Sequence, residues 1–261
     1  MPISYNKIKI PNGAIKLSPS GIAKFRKNPS EWLLDMKGKS TFTGNYSSIL
    51  GTCIHYIFES NFDNRTESRY WEDVGVYLQE QVDFGVIEEY DVRNITEELK
   101  DYYPECNYWI DSDSMTVKES ESECLYKLEN VGETKNDYYL AGSIDAIVED
   151  TEGLLGIRDY KSSKSKKGKI DTFLPQLLTY AIAYEKDIAF IEVVNIYKLK
   201  TRGVQFNVMR HYIDYERDII PMLKYYKEIV RTHQTAKKYP QLEDMLFRKG
   251  TDFMGNALIL Q

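Results

Sequence analysis

Two strand-like segments joined by a short turn constrain the fold of this chain more than any other feature. Tyr138 to Val148 and Leu154 to Lys161 are rich in apolar and β-branched residues, as strands are. The tetrad Asp-Thr-Glu-Gly at 150–153 lies between them and has the composition of a turn. Because so short a connection joins neighbouring antiparallel strands, the sequence predicts a β-hairpin here.

Further strands and helices follow from the same kind of pattern. An alternating segment precedes the hairpin, an amphipathic helix with Pro175 in its opening turn follows a basic loop, and two strands and a long helix come after it. The predicted elements are a strand at Met115–Leu128, a helix at Thr172–Glu185, strands at Ile191–Leu199 and Val204–Ile213, and a helix from Tyr215 to His233.

The residues before the hairpin have helical patterns. Ser18-Pro19 and Asn28-Pro29 each combine an N-cap residue with a proline at the first helical position, which predicts two short helices. The stretch from Ser47 to Phe62 carries apolar residues at helical spacing and places His55 and Glu59 on one adjacent face. A further helical segment, 71–103, is predicted to end at Pro104.

These elements predict an α/β fold in which a central mixed sheet is covered by helices. A length of 261 residues fits one domain with decorations or two small domains, and we favour one domain spanning 1–261. Its parts are a helical portion at about 17–103, a sheet core at about 108–213 and a C-terminal helix at about 215–233.

Composition excludes several classes of protein. No apolar stretch resembles a signal peptide or a membrane span, and the three cysteines lack CxxC spacing, so we expect reduced thiols in a cytoplasmic protein that does not contact membranes. A net charge of −6 argues against a protein that coats nucleic acid by charge alone. It is compatible with a nucleic-acid enzyme whose carboxylates gather divalent cations.

Three hairpin residues have the chemistry of phosphodiester hydrolysis. Asp159 and Lys161 are two apart and point to the same face of their strand, and Asp145 lies on the partner strand near the same level. Two carboxylates can hold one or two Mg²⁺ ions, and a lysine beside them can orient or deprotonate the attacking water. The same triplet is also common on a solvated strand face, where surface ion pairs contribute little.

The wider context distinguishes these possibilities. Gly142 to Asp145, then Asp159-Tyr160-Lys161, then Gln176 to Tyr180 resemble the G-x-x-D, (D/E)-x-K and Q-x-x-x-Y motifs of the RecB-like branch of the PD-(D/E)XK nuclease superfamily. Upstream, 17–20 with Asn28-Pro29 resembles the opening helix of that branch, and Gly51 with His55 resembles its G-x-x-x-H helix. The matches keep the order of the family over about two thirds of the chain.

The resemblance implies a restriction-endonuclease-like core and a set of site residues. By it, Asp145 and Asp159 ligate Mg²⁺, for which Mn²⁺ can substitute, the Tyr160 carbonyl adds a backbone ligand, and Lys161 serves the water. His55 is implied as a further metal ligand, although a lone histidine on a helix is often only packed or exposed. Gln176 and Tyr180 are implied to line the DNA path.

One departure from the branch is informative. Some relatives carry a cysteine at the position of Asn28 as the first of four ligands of an iron–sulfur cluster. This chain has neither that cysteine nor a C-terminal cysteine group. We therefore expect no iron–sulfur cluster.

Two weaker sets of candidates complete the site. Glu123 lies on an alternating acidic strand near the position of a family acidic residue, and it is a candidate ligand or simply part of a solvated face. The loop after Lys161 holds Lys164, Lys166 and Lys167. These lysines either contact a phosphate backbone or are only solvated side chains of a flexible loop.

The function these observations predict is a Mg²⁺-dependent deoxyribonuclease, most simply an exonuclease of recombination, repair or DNA end processing. No helicase motif is present, which favours a stand-alone enzyme or one that works with a separate recombination or replication partner protein, as in phage or mobile-element systems in a host cytoplasm. The alternatives are a non-catalytic DNA-binding or scaffold protein of the same fold and a nuclease for RNA or branched DNA.

Overall fold

The computed structural model describes residues 8–36, 44–129, 137–166, 168–184 and 186–238. Six strands and seven α-helices occur in these residues. They are β1 Ile15–Leu17, α1 Pro19–Lys27, α2 Pro29–Met36, α3 Tyr46–Phe62, α4 Glu67–Asp83, α5 Glu89–Ser112, β2 Thr116–Leu128, β3 Tyr138–Glu149, β4 Leu155–Ser163, α6 Leu174–Ala183, β5 Phe190–Leu199, β6 Gly203–Tyr212 and α7 Ile220–Lys238.

The six strands form one mixed sheet. The order β1-β3-β4-β5-β6 is completed by β2, which pairs with β3. β3–β4 and β5–β6 are antiparallel, whereas β4–β5 is parallel and requires a crossover, which α6 provides. The predicted fold class, a mixed sheet flanked by helices, is confirmed.

Helices cover the sheet on two sides, and each side has its own apolar core. One core joins α1, α2, α6 and α7 to the sheet through buried residues such as Phe25, Leu177 and Tyr226. The other joins α3, α4 and α5 to the sheet through residues such as Ile54 and Leu99. The sheet therefore lies between two helical layers, as its largely apolar central strand β5 requires.

Local sequence signals explain most element ends. The Ser18 hydroxyl accepts the Gly21 N–H at 3.0 Å, and Pro19 opens α1, as predicted. In the predicted hairpin turn, the Asp150 carboxylate accepts two backbone N–H groups, and Gly153 has a φ of +81°, which favours glycine. The hairpin prediction is confirmed.

The single helix predicted to end at Pro104 is wrong. The structure has two helices, α4 and α5, and α5 continues through Pro104 to Ser112. Proline in a helix interior costs about 3 kcal/mol. Tertiary burial offsets that cost, because Leu99 and Cys106 on either side of the proline are fully buried. The sequence pattern shows the proline but not this burial.

The C-terminal helix also differs from its predicted bounds. A π-helical turn at Tyr215–Ile219 precedes α7, which runs to Lys238 rather than ending at His233. Among the residues that the structure describes, no helix combines the length and the apolarity that crossing a membrane requires.

Candidate active site

A gap along one edge of β3 creates the candidate site. β2 pairs with β3 over its whole length on one edge. The other edge is shared, because β1 pairs with 138–140 and β4 pairs only with 146–149. In the part of the chain that the structure describes, no strand therefore lies beside 141–145 on that edge, and Ala141, Gly142, Ser143 and Asp145 line a cleft of about 690 Å³.

Asp145 stands where β3 and β4 separate. Its Oδ2 accepts the backbone N–H of Tyr160 at 2.8 Å, so the carboxylate replaces the ladder hydrogen bond that the diverging strands no longer make. Burial raises the pKa of Asp145, against the opposing effects of Lys161 and the Tyr160 N–H. The Tyr160 N–H thus fixes the position of the Asp145 carboxylate, while burial disfavours its charged form.

Asp159 and Lys161 lie next to it on β4. Asp159 Oδ1 accepts from Lys161 Nζ at 2.8 Å and from Gln176 Nε2 at 3.4 Å. Its Oδ2 is buried and has no hydrogen-bond partner among the described residues. Burial also raises the pKa of Asp159, which Lys161 counteracts. A buried carboxylate oxygen without a partner is costly unless a ligand satisfies it.

Lys161 reaches the cleft from a fixed strand end. Its side chain is 29% exposed and lines the cleft. The fully buried Asn195 on β5 donates its amide to the Lys161 carbonyl at 3.2 Å and to Ser163 Oγ at 2.7 Å. These hydrogen bonds fix the end of β4, so that the Lys161 side chain meets Asp159.

Helix α3 brings His55 into the cleft. Its Nδ1 lies 3.4 Å from Asp145 Oδ2. Burial, assisted by the positive charge of Lys161, lowers the pKa of His55 to about 4, so the ring is neutral at pH 7. A neutral imidazole keeps a lone pair for a metal ion. Glu59, one turn further along α3, lines the same cleft.

Close packing explains why two motif positions carry glycine. A Cβ on Gly142 would lie 2.8 Å from Pro19 Cδ and 2.9 Å from Tyr180 Cε1, so only glycine lets α1 and α6 approach β3 here. A Cβ on Gly51 would lie 2.9 Å from Ser162 Oγ. Both glycines therefore allow a helix to approach a strand closely beside Asp145 and Lys161.

The donor set fits a divalent cation. Asp145, Asp159 and His55 offer carboxylate oxygens and a neutral imidazole, and the partnerless Asp159 Oδ2 is an atom that a cation would satisfy. No group of three or more His, Cys, Asp or Glu residues placed to hold a metal ion together occurs in the described part of the chain. Mg²⁺ does not need one, because it is commonly bound by one or two carboxylates and keeps several waters.

An acidic residue other than the predicted one faces the site. Glu121, not Glu123, lines the cleft, and its Oε2 accepts from Ser143 Oγ at 2.9 Å. Desolvation and the nearby Asp145 carboxylate raise the pKa of Glu121 to about 7. Glu121 has a φ of +51°, an irregularity within β2 that strand alternation does not reveal. Glu123 is exposed and is not among the residues that line the cleft.

The predicted DNA-contacting residues divide into three groups. Gln176 and Tyr180 adjoin the site, since Gln176 contacts Asp159 and the Tyr180 hydroxyl, and the buried Tyr180 lines the cleft. Lys164 lines a neighbouring cavity, and Lys166 is exposed and lines neither cavity. Lys167 lies outside the described residues.

Comparison with one solved structure supports the fold, and a second solved structure shows a weaker similarity. A crystal structure from Eubacterium rectale, named as that of a candidate exonuclease, superposes with a TM-score of 0.53 at 10% identity over 87% of this chain and 88% of that one. LHK-Exo in complex with dAMP gives a TM-score of 0.44 at 13% identity, covering 88% and 93%. No curated protein sequence matches this chain.

The sequence also matches a protein-family model. The model describes the PD-(D/E)XK nuclease superfamily, and its match covers residues 16–244. That range begins in β1, includes Asp145, Asp159 and Lys161, and extends beyond α7. Because the match spans well over half of the chain, the chain belongs to the PD-(D/E)XK nuclease superfamily.

Proposed function

We propose that this protein is a divalent-metal-dependent deoxyribonuclease that hydrolyses phosphodiester bonds at the cleft, most simply as an exonuclease. Asp145, Asp159 and Lys161 are its catalytic residues. Asp145, Asp159, His55 and the Tyr160 carbonyl are the proposed metal ligands, with Mg²⁺ as the natural ion and Mn²⁺ as a substitute. Membership of the nuclease superfamily supports the reaction class, and the geometry around Asp159 supports the site.

One observation carries the proposal. Asp159 is 2% exposed, and its Oδ2 has no hydrogen-bond partner among the described residues. A carboxylate placed only for stability would be fully paired, because an unsatisfied buried acceptor costs about 1–3 kcal/mol. Lys161, which contacts the other Asp159 oxygen, is partly exposed and lines the cleft, so the cleft adjoins that position.

The chain's own residues divide the work of hydrolysis. The Lys161 ammonium orients the attacking water and stabilises the negative charge on the phosphate as the water oxygen bonds to phosphorus and the bond to the leaving oxygen breaks; the proton that the water loses passes through solvent to the leaving oxygen. Asp159 holds the Lys161 ammonium at 2.8 Å. A bound divalent ion would supply charge stabilisation on the phosphate oxygens. Gln176 and Tyr180 lie where a bound strand would pass.

The proposal extends to a branch and a setting. We assign the chain to the RecB-like branch, with a role in recombination, repair or DNA end processing, because its motif order is that of the branch. An iron–sulfur cluster is not part of the proposal, since such clusters need four ligands and the chain has three cysteines, which are buried in two different cores. Glu121 is preferred over Glu123 as an additional acidic group.

The proposed protein is a single domain that acts in the cytoplasm, that of the host if the gene belongs to a phage or mobile element. A separate recombination or replication protein is its proposed partner. Both helical layers pack on one sheet, which supports a single domain. No membrane contact is part of the proposal.

Two alternatives lead to different outcomes. A non-catalytic DNA-binding or scaffold protein of this fold would bind DNA without cutting it. A nuclease for RNA or branched DNA would use the same ligands on another polymer. Asp145 and Lys161 line one cleft and Asp159 contacts Lys161 directly behind it, which favours catalysis over scaffolding.

The test is cleavage of end-labelled linear, circular and single-stranded DNA in Mg²⁺, Mn²⁺ or EDTA, with wild type and Lys161→Ala. We expect metal-dependent loss of linear DNA, abolished by the substitution. Lys118→Ala is the matched control, since Lys118 is also a lysine in an ion pair but is exposed and lies outside the cleft.

Three other outcomes would change the conclusion. Binding without cleavage in every metal contradicts the enzyme and supports the scaffold. Cleavage of circular DNA identifies an endonuclease. Cleavage of RNA or branched DNA in preference to linear DNA changes the substrate while leaving the site in place.

A further inference from the structure

A second cavity adjoins the candidate active site. It has a volume of about 430 Å³ and lies between α3, α5 and the C-terminal ends of β4 and β5. Ser47 and Ser162 line both this cavity and the catalytic cleft. The two spaces are therefore neighbours, separated only where Gly51 of α3 packs against Ser162 of β4. We call the smaller space the lysine cavity.

Its lining combines positive charge with an apolar wall. Lys164 follows β4, and Lys198 and Lys200 come from the end of β5, so three ammonium groups from two chain segments meet at one cavity. Tyr46 and Leu50 on α3 line it as well. Ammonium groups beside aromatic and aliphatic surface suit a chain that alternates phosphates with flat rings.

The acidic groups nearby are already engaged. The Tyr46 hydroxyl donates to Glu98 at 2.7 Å, and Asp101 pairs with Lys198. The Lys198–Asp101 pair is exposed, and exposed pairs contribute little to stability. A phosphate oxygen can therefore compete with Asp101 for Lys198 at small cost.

Strand β4 connects the two spaces. Lys161 lines the cleft, Ser162 lines both, and Ser163 and Lys164 line the lysine cavity. At strand spacing, Lys161 and Lys164 are roughly 10 Å apart along the chain. A strand whose phosphate reacts beside Lys161 would thus place its neighbouring phosphates beside Lys164. Cavities of a few hundred Å³ accept ligands of about nucleotide size, which favours one strand over a duplex.

We propose that the lysine cavity binds the single DNA strand adjoining the scissile phosphate, with Lys164, Lys198 and Lys200 contacting its phosphates and Tyr46 packing against a base or sugar. This inference rests on the proposed nuclease function and names the path of its substrate. It also adds two contact residues, Lys198 and Lys200, that lie far along the sequence from the catalytic hairpin.

The test compares two double variants that remove the same charge. Lys198→Gln/Lys200→Gln removes two ammonium groups of the lysine cavity. Lys118→Gln/Lys127→Gln removes two exposed, ion-paired lysines that line neither cavity. Binding of fluorescent single strands of about 2 and about 20 nucleotides is measured by anisotropy in EDTA over a range of salt, and cleavage is measured in Mg²⁺.

We expect the cavity variant to bind the long strand roughly tenfold more weakly at 0.1 M salt, with a salt slope lower by about 1.4, because each phosphate contact on a single strand contributes about 0.7. Binding of the short strand, which the cleft alone can hold, stays within twofold. KM for the long strand rises while kcat is retained. The control variant stays within twofold throughout.

The inference and the proposed function fail in different ways. Equal losses for short and long strands, equal losses for both variants, or no loss in the cavity variant would overturn the lysine cavity while leaving cleavage intact. A wild-type protein that neither binds nor cleaves DNA would overturn the proposed function and this inference with it. Loss of folding is checked by circular dichroism, and Lys200→Gln alone then serves as the milder variant.

Discussion

Strand β4 carries two clusters of buried charge on its opposite faces, and they are built in opposite ways. Arg158 faces α5, where its guanidinium donates to Glu192 at 2.7 Å and also pairs with Asp113, and Arg210 donates to the second Glu192 oxygen at 2.6 Å. Asp159, the next residue, faces α6 and keeps one carboxylate oxygen without a partner in the described residues.

The difference separates the cluster around Arg158, called here the structural cluster, from the proposed catalytic cluster around Asp159, called the reactive cluster. In the Arg158 cluster every buried charge is paired with an opposite charge of the protein, so no ligand is needed to compensate it. In the Asp159 cluster Lys161 lies near two carboxylates, the buried Asp159 and the half-buried Asp145, and desolvation raises the pKa of both. The deficit of positive charge is what a bound cation would fill.

The largest expected effect is on cleavage at the reactive cluster. Asp159→Asn keeps the shape of the side chain and removes the charge that pairs with Lys161 and that, in the proposed site, would hold a metal ion. We expect cleavage to fall by roughly 10³-fold or more, as loss of a main transition-state contact does. Initial rates are compared with the free energy of unfolding in urea. Stability should be retained, since a buried charge is lost; a large loss of stability would mean that Asp159 is structural.

The next effect is on stability at the structural cluster. Glu192→Ala leaves Arg158 buried and takes away the partner of Arg210, and breaking a buried pair in this way costs about 3–5 kcal/mol. Urea unfolding measures the change. The control is Glu149→Ala, which breaks an exposed pair with Lys118 and should cost less than about 1 kcal/mol. Equal costs would remove the distinction between the clusters.

A third test asks whether α3 belongs to the reactive cluster. If His55 is a metal ligand, His55→Ala should raise the metal concentration for half-maximal cleavage by roughly 10–100-fold, a range typical for loss of supporting metal-site groups. DNA binding in EDTA should change little. His211→Ala is the matched control, because His211 pairs with Asp218 outside the cleft. The same metal requirement in both variants would exclude His55 from the ligand set.

The smallest expected effect is on stability at Asp218, whose carboxylate is paired within the protein. Burial raises the pKa of Asp218, but hydrogen bonds from Arg217, the Asp214 N–H and His211 outweigh it and lower the pKa to about 2. Because the folded pKa is depressed, this stabilisation is present above about pH 4 and is lost as pH falls towards 2.

Asp218→Asn should therefore reduce stability at pH 7 by at most about 2 kcal/mol and flatten its decline between pH 4 and 2. Urea unfolding at several pH values measures both quantities. A decline in the variant as steep as in wild type would show that other carboxylates account for it.

The sequence predicted some elements closely because their signals are local. The hairpin follows from alternation and the turn at 150–153, and α1 follows from the Ser18 cap and Pro19. The prediction of a helix end at Pro104 is wrong, because the burial of Leu99 and Cys106 offsets a local penalty. Local signals decide an element only where packing does not oppose them.

Site residues divide in the same way. Asp145, Asp159 and Lys161 were nominated by residue type and spacing and His55 by the resemblance; Asp145, Lys161 and His55 line one cleft, and the buried Asp159 contacts Lys161 beside it. Glu121, which lines the cleft, was not nominated, because the resemblance pointed to Glu123 and the irregular backbone of β2 at Glu121 is not visible in the sequence. The sequence indicates Glu121 only as one of the alternating glutamates at 119–123.

By itself the sequence determined the family, the hairpin and the identities of the charged residues, because those depend on spacing along the chain. Only the tertiary structure decided which charges are satisfied. Arg158 and Asp159 are neighbours in sequence, yet one is paired through Glu192, 34 residues away, and the other keeps an oxygen without a partner in the described residues. Partners brought together from distant segments set the energy of a buried charge, and spacing along one strand cannot reveal them.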